Sequence, residues 1–290
     1  MTAIRHAPRS EAERAEPRTI EIVGGPGGVS VEALREVWEY RETLRAFVVR
    51  QIKVRYKQAL VGVGWAVVQP VVAAALFAVF LGRLTGIASE GVPYLLFALA
   101  GMVVWTFFSG AVTSGSDSLV SQQTLLRKLY FPREILPLSS LGVALLDAAT
   151  GIAVLVVAAA LYGIFPALPW IAFALPFVPL VLFAAACALA LSSVNVYYRD
   201  VRYVLPFALQ IGLFASPVVY SLSVVPEAWR FLYATLNPVA AAIDGVRRIF
   251  LHGDWPDFAL LAAATGWSLL LLVAAYALFK RLERGFADRV

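Results

Sequence analysis

Long apolar stretches recur along the chain after residue 60, separated by short polar or charged segments. Six of them approach the roughly 20 residues with which an α-helix crosses a bilayer core, and they lie at about 60–81, 94–118, 138–164, 171–194, 204–222 and 258–279. The pattern predicts an all-α integral membrane protein with six transmembrane helices. Pro70 falls within the first stretch, where we expect it to kink or break the helix after Gln69.

A basic amphipathic segment, residues 31–59, precedes the first predicted span. At helical spacing, most of its later basic side chains fall opposite an apolar arc made of Val37, Tyr40, Leu44, Phe47, Val48 and Ile52. This pattern is typical of a helix in the membrane interface, so we expect two helical pieces that contact anionic lipid headgroups. An ordinary surface helix of a soluble domain is the alternative. The headgroup contacts are assigned to Arg50, Lys53, Arg55 and Lys57, although Arg55 falls on the apolar arc.

The segment between the fifth and sixth stretches is too long for a turn, yet its amphipathic pieces are too short to cross a bilayer. Asn237 and Pro238 interrupt it near its middle. We therefore expect a re-entrant helical pair that dips into the outer leaflet, with an exposed extracellular hairpin as the alternative.

The composition, 60% hydrophobic and 15% charged residues with a mean hydropathy of +0.77, excludes an ordinary soluble domain. Residues 1–30 are charged, aperiodic and contain Gly and Pro, which predicts a flexible cytoplasmic tail. The glycine-rich run at 24–28 lacks the Lys-Ser/Thr pair of a nucleotide-phosphate loop. With the N-terminus inside, fifteen Lys and Arg side chains flank the spans on the cytoplasmic side and four on the other, so both termini are predicted to be cytoplasmic.

Few side chains could support chemistry within the spans. The two histidines, His6 and His252, lie outside them, so neither a histidine metal cluster nor a catalytic triad can form there. We predict no catalytic residue, no metal site and no nucleic-acid partner, and the single Cys187 permits no intrachain disulfide. Asp117 and Asp147 are acids at membrane depth, and they either form part of a proton path or pair with a neighbouring helix.

Two cytoplasmic stretches combine basic residues with a sharp change of chain direction. In residues 123–137, we expect Pro132 to stop one helix and Arg133 with Glu134 to start another. Residues 195–206 form a second corner on the same side. A short rigid helix that projects from a membrane can dock a soluble partner, whereas a tight solvated loop that follows the positive-inside rule is the alternative.

Five motifs in fixed order resemble those of a known family: RYKQALVGVGWAVVQP, LLRKLYFPREILP, NVYYRDVRYV, SPVVYSLSVVPE and LNPVAAAIDGVRRIF. Over about residues 34–285 the chain is similar to the permease subunit of type-2 ABC exporters for cell-surface polysaccharides, which move O-antigen, capsule and teichoic acid chains. The resemblance implies a permease domain over 60–290 and a homodimer that encloses the conduit. It also implies two copies of a separate ATPase subunit, which would hold ATP and Mg, so no cofactor is expected in this chain. The sequence QQTLLRK departs from the Asn-Ala pair that similar permeases often carry here.

The resemblance further implies roles for individual side chains and a location in a bacterial inner membrane. The basic interface residues would attract the pyrophosphate of a lipid-linked polysaccharide. The residues that couple the chain to the ATPase would be Arg127, Lys128, Phe131, Pro132, Arg133, Glu134, Tyr198, Arg199 and Asp200. Aromatic rings offer apolar faces to a sugar chain, and those of the glycan conduit would be Phe77, Phe80, Trp105, Phe108, Phe207, Phe214 and Tyr220. A drug- or lipid-exporting ABC permease and an ion-gradient-driven transporter are the alternatives.

Overall fold

The computed structural model describes residues 31–57, 64–82, 90–165 and 167–286, apart from the side chains of 31–34, 57, 66 and 127. These residues form helices joined by short connections, and none of them lies in a strand. The predicted tail, 1–30, falls outside the described residues. In chain order the α-helices are α1 (Val31–Glu39), α2 (Arg41–Lys57), α3 (Gly64–Phe77), α4 (Tyr94–Ser121), α5 (Gln123–Lys128), α6 (Ile135–Leu161), α7 (Phe177–Tyr197), α8 (Val201–Ala215), α9 (Glu227–Leu236), α10 (Pro238–Arg247) and α11 (Phe258–Glu283).

Among the described residues, four helices are long and apolar enough to cross a membrane: α4, α6, α7 with the helical turns that precede it, and α11. They correspond to the second, third, fourth and sixth predicted spans. The first and fifth predicted spans correspond to two shorter apolar helices, α3 with the π-helical turn that follows it and α8. Helix α3 runs through Pro70 without interruption, so the expected break does not occur there.

Helix α4 is the centre of the fold, because most of its side chains are buried between α6, α7 and α3. Small residues allow these helices to approach closely. A Cβ atom at Gly115 would lie 2.5 Å from the Cβ of Ala188 in α7, and one at Gly151 of α6 would lie 3.0 Å from a methyl of Val103. Helix α11 packs along the other side of α7. The main core therefore requires small side chains where helices cross.

Helix α8 is attached to the rest of the protein more loosely, and Leu205 is its one buried side chain. The helix ends at Ala215, earlier than the predicted span, because Pro217 disfavours helical geometry at the residue before it. Ser216 is accordingly extended, with φ −106° and ψ 150°. One face of α8 is left exposed, and it carries Tyr203, Val204, Phe207, Ile211 and Phe214.

The segment before α11 forms the predicted pair of short helices, α9 and α10, with the break at Asn237. The Asn237 side chain accepts a hydrogen bond from the backbone N–H of Ala240 and so caps α10. Pro238 occupies the first turn of α10, where its missing N–H would have no intrahelical partner in any case. Local sequence therefore accounts for the position of the break.

Arg247, at the end of α10, fastens the connection that follows α8 to the central helix. Its side chain is 3% exposed, and its guanidinium lies over the ring of Phe97 in α4. A buried charge must be compensated by hydrogen bonds. The guanidinium supplies them as a donor, at 2.6–3.3 Å, to the carbonyl oxygens of Phe97, Pro217, Val218 and Tyr220.

Candidate functional site

The first of the two predicted corners lies between α5 and α6. Helix α5 ends at Lys128 and α6 begins at Ile135, so the chain turns around Pro132 as predicted. Phe131 is buried, and its ring centroid lies 5.4 Å from that of Phe47 in α2. The corner is thereby packed against the N-terminal amphipathic helix.

The coupling residues predicted at this corner differ in accessibility. Lys128 is exposed, whereas the side chain of Arg127 falls outside the described residues. The remaining members are packed into the protein, with Arg133 half-buried and three others buried: Phe131, Pro132 and Glu134. A partner that docks here would therefore meet only part of the predicted set.

The projecting tip of the corner is formed by Leu129 and Tyr130, which are 58% and 55% exposed. The Tyr130 hydroxyl donates a hydrogen bond of 3.1 Å to a carboxylate oxygen of Glu36 in α1. Partial burial and this carboxylate raise the pKa of Tyr130. Leu129 and Tyr130 were not predicted as contact residues. Two adjacent apolar side chains next to two basic residues and a proline are nevertheless a local signal of a contact surface when they are exposed.

Glu134 holds the start of α6 to the end of α11. Its carboxylate is 1% exposed, and Oε1 lies 2.9 Å from the Nζ of Lys280. The hydroxyl of Tyr276 donates to the same oxygen at 3.1 Å, and Lys280 also lies 3.0 Å from a carboxylate oxygen of Glu283. Since a buried carboxylate is stable only when such partners surround it, Glu134 acts inside the protein rather than on its surface.

The second predicted corner lies between α7 and α8, and its side chains are more exposed. Its three predicted coupling residues, Tyr198, Arg199 and Asp200, are all exposed. Just beyond them, the guanidinium of Arg202 lies 2.9 Å from the carboxylate of Asp117 in α4. This ion pair joins the N-terminal end of the loosely held α8 to the central helix.

The residues 31–57 form two helices, as predicted, and the apolar arc of α2 faces the protein. Phe47 is buried, Val48 is half-buried, and a Cβ at Gly142 of α6 would collide with the Val48 side chain. The amide of Gln51 donates a hydrogen bond of 2.5 Å to the hydroxyl of Ser139 in α6. On the other face, Arg50 and Lys53 are exposed, while the side chain of Lys57 lies outside the described residues.

Arg55 is one of two basic residues, with Arg41, that fall on the apolar arc, and its position is explained by Asp147. Its guanidinium lies 2.9 Å from one carboxylate oxygen of Asp147, and the hydroxyl of Tyr56 donates to the other. Burial, together with this hydrogen bond to a carboxylate, raises the pKa of Tyr56 to about 12. Of the two alternatives for the membrane-depth acids, the contacts of Asp147 and of Asp117 are those of helix pairing.

A cleft of about 290 Å³ opens between α2, α4 and α6. Two guanidinium groups, two amides and a hydroxyl line it beside two valines, and the amide oxygen of Gln122 is buried without a hydrogen-bond partner among the described residues. The Arg50 guanidinium and the side-chain N–H groups of the amides can donate to an anion with several oxygen atoms. Arg55, in contrast, is shared with Asp147, and the Gln122 oxygen can only accept. The lining residues are Arg50, Gln51, Val54, Arg55, Ser114, Gln122 and Val143.

The aromatic rings predicted to line a conduit fall into three environments. Phe80, Phe207 and Phe214 are exposed on α8 and on the turn after α3, at 60%, 65% and 57%. Phe77 and Tyr220 are half-buried. Trp105 and Phe108 are buried, with Trp105 against Gly212 and Phe108 stacked on Phe183 at 5.2 Å.

Lys280 and Glu283 were also missed as site residues, since the sequence analysis used the end of the last span only for topology. Their spacing of three residues on one helix is a recognisable ion-pair signal. Glu134 meets Lys280, and Arg247 meets its carbonyl partners, only through the tertiary fold. Helical spacing does not reveal such contacts.

Comparison with known proteins places these features in a family. A family model described as ABC-2 type transporter matches residues 42–251. The chain is 28% identical over 264 residues to the O-antigen export system permease protein RfbA of Myxococcus xanthus, covering 90% of this chain and 100% of that protein. It is 26% identical over 242 residues to the protein of the same name from Klebsiella pneumoniae, covering 82% of this chain and 91% of that protein. The chain therefore belongs to the ABC-2 type transporter membrane family.

Proposed function

We propose that the protein is the membrane subunit of an ATP-driven exporter that moves a lipid-linked polysaccharide across the bacterial inner membrane. The observation that carries this proposal is the extent of the similarity, because relatives named O-antigen export permeases align over 82–90% of the chain. The family match over residues 42–251 spans both corners and the helical pair before α11. ATP and Mg belong to a separate ATPase subunit, of which two copies bind the complex.

In this proposal the chain crosses the membrane six times, with both termini in the cytoplasm. The four long apolar helices supply four spans, and the shorter α3 and α8 supply the first and fifth. Residues 31–59 form an interface region and residues 60–290 the permease domain. Helices α9 and α10 dip into the outer leaflet, which agrees with their lengths of ten residues each.

Two copies of the chain enclose the conduit. The exposed face of α8 supports this arrangement, because a helix with one buried side chain needs a further partner surface. The exposed rings Phe80, Phe207 and Phe214 lie on the elements that would face the path, and rings bind sugars through apolar faces without many directed hydrogen bonds. Trp105 and Phe108 would support the conduit wall from behind, since both are buried.

ATP binding closes the two ATPase subunits, and their movement reaches the permease through its two corners. The exposed residues Lys128, Tyr198, Arg199 and Asp200 provide the contact surface, together with the tip at Leu129 and Tyr130. The packed residues Phe131, Pro132, Arg133 and Glu134 pass the movement on to α6 and its neighbours. The dimer interface then opens to admit substrate from the inner leaflet.

The basic face of α2 attracts the pyrophosphate of the substrate. Arg50 and Lys53 are exposed on that face, and the cleft beside Arg50 has room and donors for an anionic group. Arg55 contributes charge at the rim but is shared with Asp147. Lys57 completes the predicted set.

A drug- or lipid-exporting permease of the same family is the second candidate, and it predicts that small lipophiles stimulate the ATPase. An ion-gradient-driven transporter has less support, because Asp117 and Asp147 each lie 2.9 Å from a guanidinium. Purification of the tagged chain in mild detergent, with mass spectrometry of what accompanies it, tests the proposal. A stoichiometric ATPase subunit with a GxxxxGK[ST] motif is expected, and isolation of the chain alone would contradict it.

A further inference from the structure

The end of the last span contacts the first cytoplasmic corner through charged groups. The guanidinium of Arg133 donates a hydrogen bond of 3.1 Å to the backbone oxygen of Glu283, and it lies 5.6 Å from the ring centroid of Phe286. One residue further on, Glu134 forms the 2.9 Å ion pair with Lys280. Consecutive residues of the corner thus both hold the segment Phe279–Phe286, which we name the C-terminal clamp.

The same segment contacts the second corner. The hydroxyl of Tyr197, the last residue of α7, donates a hydrogen bond of 2.8 Å to the backbone oxygen of Leu282. Its ring centroid lies 6.1 Å from that of Phe286. Gly285 is required at this point, because a Cβ atom there would collide with the Tyr197 hydroxyl. The clamp therefore lies directly against the residue that precedes the exposed Tyr198.

The clamp is buried rather than lying loosely on the surface. Phe279 and Phe286 are at most 1% exposed and meet edge to face at 5.9 Å. They belong to a hydrophobic cluster separate from the main core, which draws side chains from α2, α4, the first corner, α6, α7, α11 and the turn after it: Phe47, Leu119, Phe131, Ile135, Leu136, Leu189, Tyr276, Phe279 and Phe286. The clamp is therefore held by close packing of buried rings, in addition to the contacts that Oε1 of Glu134 makes with Lys280 and Tyr276.

We propose that the C-terminal clamp joins the two cytoplasmic corners into one mechanical unit, with Lys280 and Tyr197 as its positioning residues. A push received at either corner then moves the cytoplasmic ends of α6, α7 and α11 together, instead of displacing one loop. This inference rests on the proposed function, in which an ATPase pushes on these corners. The segment Phe279–Phe286 thereby gains a coupling role, in addition to the role of the corner residues.

The test uses the complex of this chain with its ATPase, reconstituted in lipid vesicles, and follows ATP hydrolysis and glycan transport separately. Lys280→Met removes the partner of Glu134 and is expected to lower the glycan moved per ATP by about tenfold, because residues along a coupling network modulate its output to that extent. Tyr197→Phe, which removes one hydroxyl at the second corner, is expected to lower the ratio in the same direction. Arg281→Gln, an exposed neighbour on the same helix, is the matched control and should leave the ratio unchanged.

A second variant separates coupling from folding. Lys280→Met leaves Glu134 as an uncompensated buried charge, which could reduce the amount of folded protein. The double variant Glu134→Gln, Lys280→Met carries no such charge, so its folded amount should return to that of the wild type. The clamp predicts that this double variant still moves less glycan per ATP.

If the double variant recovered the wild-type amount of glycan moved per ATP, the coupling role of the clamp would be contradicted. An unchanged amount in a folded Lys280→Met protein would contradict it as well. These outcomes differ from failure of the proposed function itself. In that case the wild-type chain would bind no ATPase, and there would be no ratio to measure.

Discussion

The guanidinium of Arg55 in α2 lies 2.9 Å from the carboxylate of Asp147, a residue of α6 whose side chain is 7% exposed. The contact links the N-terminal amphipathic helix to a membrane-spanning helix. It also explains why a basic residue occupies the apolar arc of α2, since Arg55 meets a carboxylate there instead of lipid.

We predict that Arg55→Gln lowers the free energy of unfolding by about 2 kcal/mol, because it leaves the buried Asp147 with Tyr56 as its remaining partner. Arg45→Gln is the control, since Arg45 lies on the same helix and its contact with Glu42, at 3.9 Å, is exposed on both sides. Thermal unfolding of both variants in detergent would check this prediction. Equal midpoints for the two variants would show that the Asp147 contact adds no stability.

Replacement of Arg247 should be more severe. Arg247→Met strands the four carbonyl groups that its guanidinium serves, and we expect a loss of about 4 kcal/mol and little folded protein in the membrane. Arg248→Gln provides the comparison, because Arg248 is 45% exposed and its ion pair with Asp244 lies within one helix. Membrane protein levels and melting temperature would separate the two. A stable Arg247→Met protein would contradict the anchoring role.

Two glycines of α4 should respond in opposite ways to the same substitution. Gly115→Ala places a Cβ 2.5 Å from that of Ala188, so the helices must separate, at a cost of about 2 kcal/mol. Gly110→Ala meets nothing within 4 Å and should add up to about 1 kcal/mol through helix propensity. Chemical unfolding of the pair provides the measurement, and a similar loss from both would argue against close packing of α4 on α7.

At the first corner, exposed and buried residues should affect different observables. Replacing Leu129 and Tyr130 by Ala is expected to weaken ATPase binding while leaving stability unchanged, because both side chains face solvent. Phe131→Ala removes a buried ring and should lower stability by about 3 kcal/mol. Binding and thermal unfolding measured on the same samples would distinguish them. Intact ATPase affinity in the Leu129, Tyr130 variant would place the docking surface elsewhere.

The cleft beside α2 leads to a prediction about substrate. Arg50→Gln should reduce the affinity for a lipid-linked pyrophosphate by about tenfold, since one charge-assisted contact is lost. Arg45→Gln again provides a control, because Arg45 does not line the cleft. Binding of an undecorated polyprenyl pyrophosphate in nanodiscs would be measured. Unchanged affinity after all four of Arg50, Lys53, Arg55 and Lys57 are replaced by Gln would show that these side chains do not bind the pyrophosphate headgroup.

Features fixed by short-range physics could be predicted from the sequence. The chain turns at the corner that contains Pro132, the helical pair divides at Asn237 and Pro238, and the apolar arc of α2 faces the protein, because proline geometry and helical spacing act locally. Helix α5 ends at Lys128, before the proline was expected to stop it. The end of α8 was placed too late, since apolar residues continue to 222 while Pro217 already disfavours the helix.

Long-range features could not be predicted in the same way. Trp105 and Phe108 lie on α4, where the apolar residues do not concentrate on one face. Helical spacing therefore gives no preferred face, and the burial of both rings is decided by neighbouring helices. The pairing of Glu134 with Lys280 depends on how α6 and α11 cross. Charge counts predict a cytoplasmic position for Lys280 but could not assign its partner.

In the proposed function, ATP hydrolysis by a separate subunit drives export of a lipid-linked polysaccharide through this chain. The most direct test reconstitutes the purified chain and its ATPase in vesicles with a labelled lipid-linked glycan, then measures how much glycan becomes protected inside. We expect the labelled glycan to become protected inside the vesicles only when ATP is present. Replacement of the phosphate-loop lysine of the ATPase should abolish this protection. Protection without ATP that follows an imposed proton gradient would contradict the proposed function.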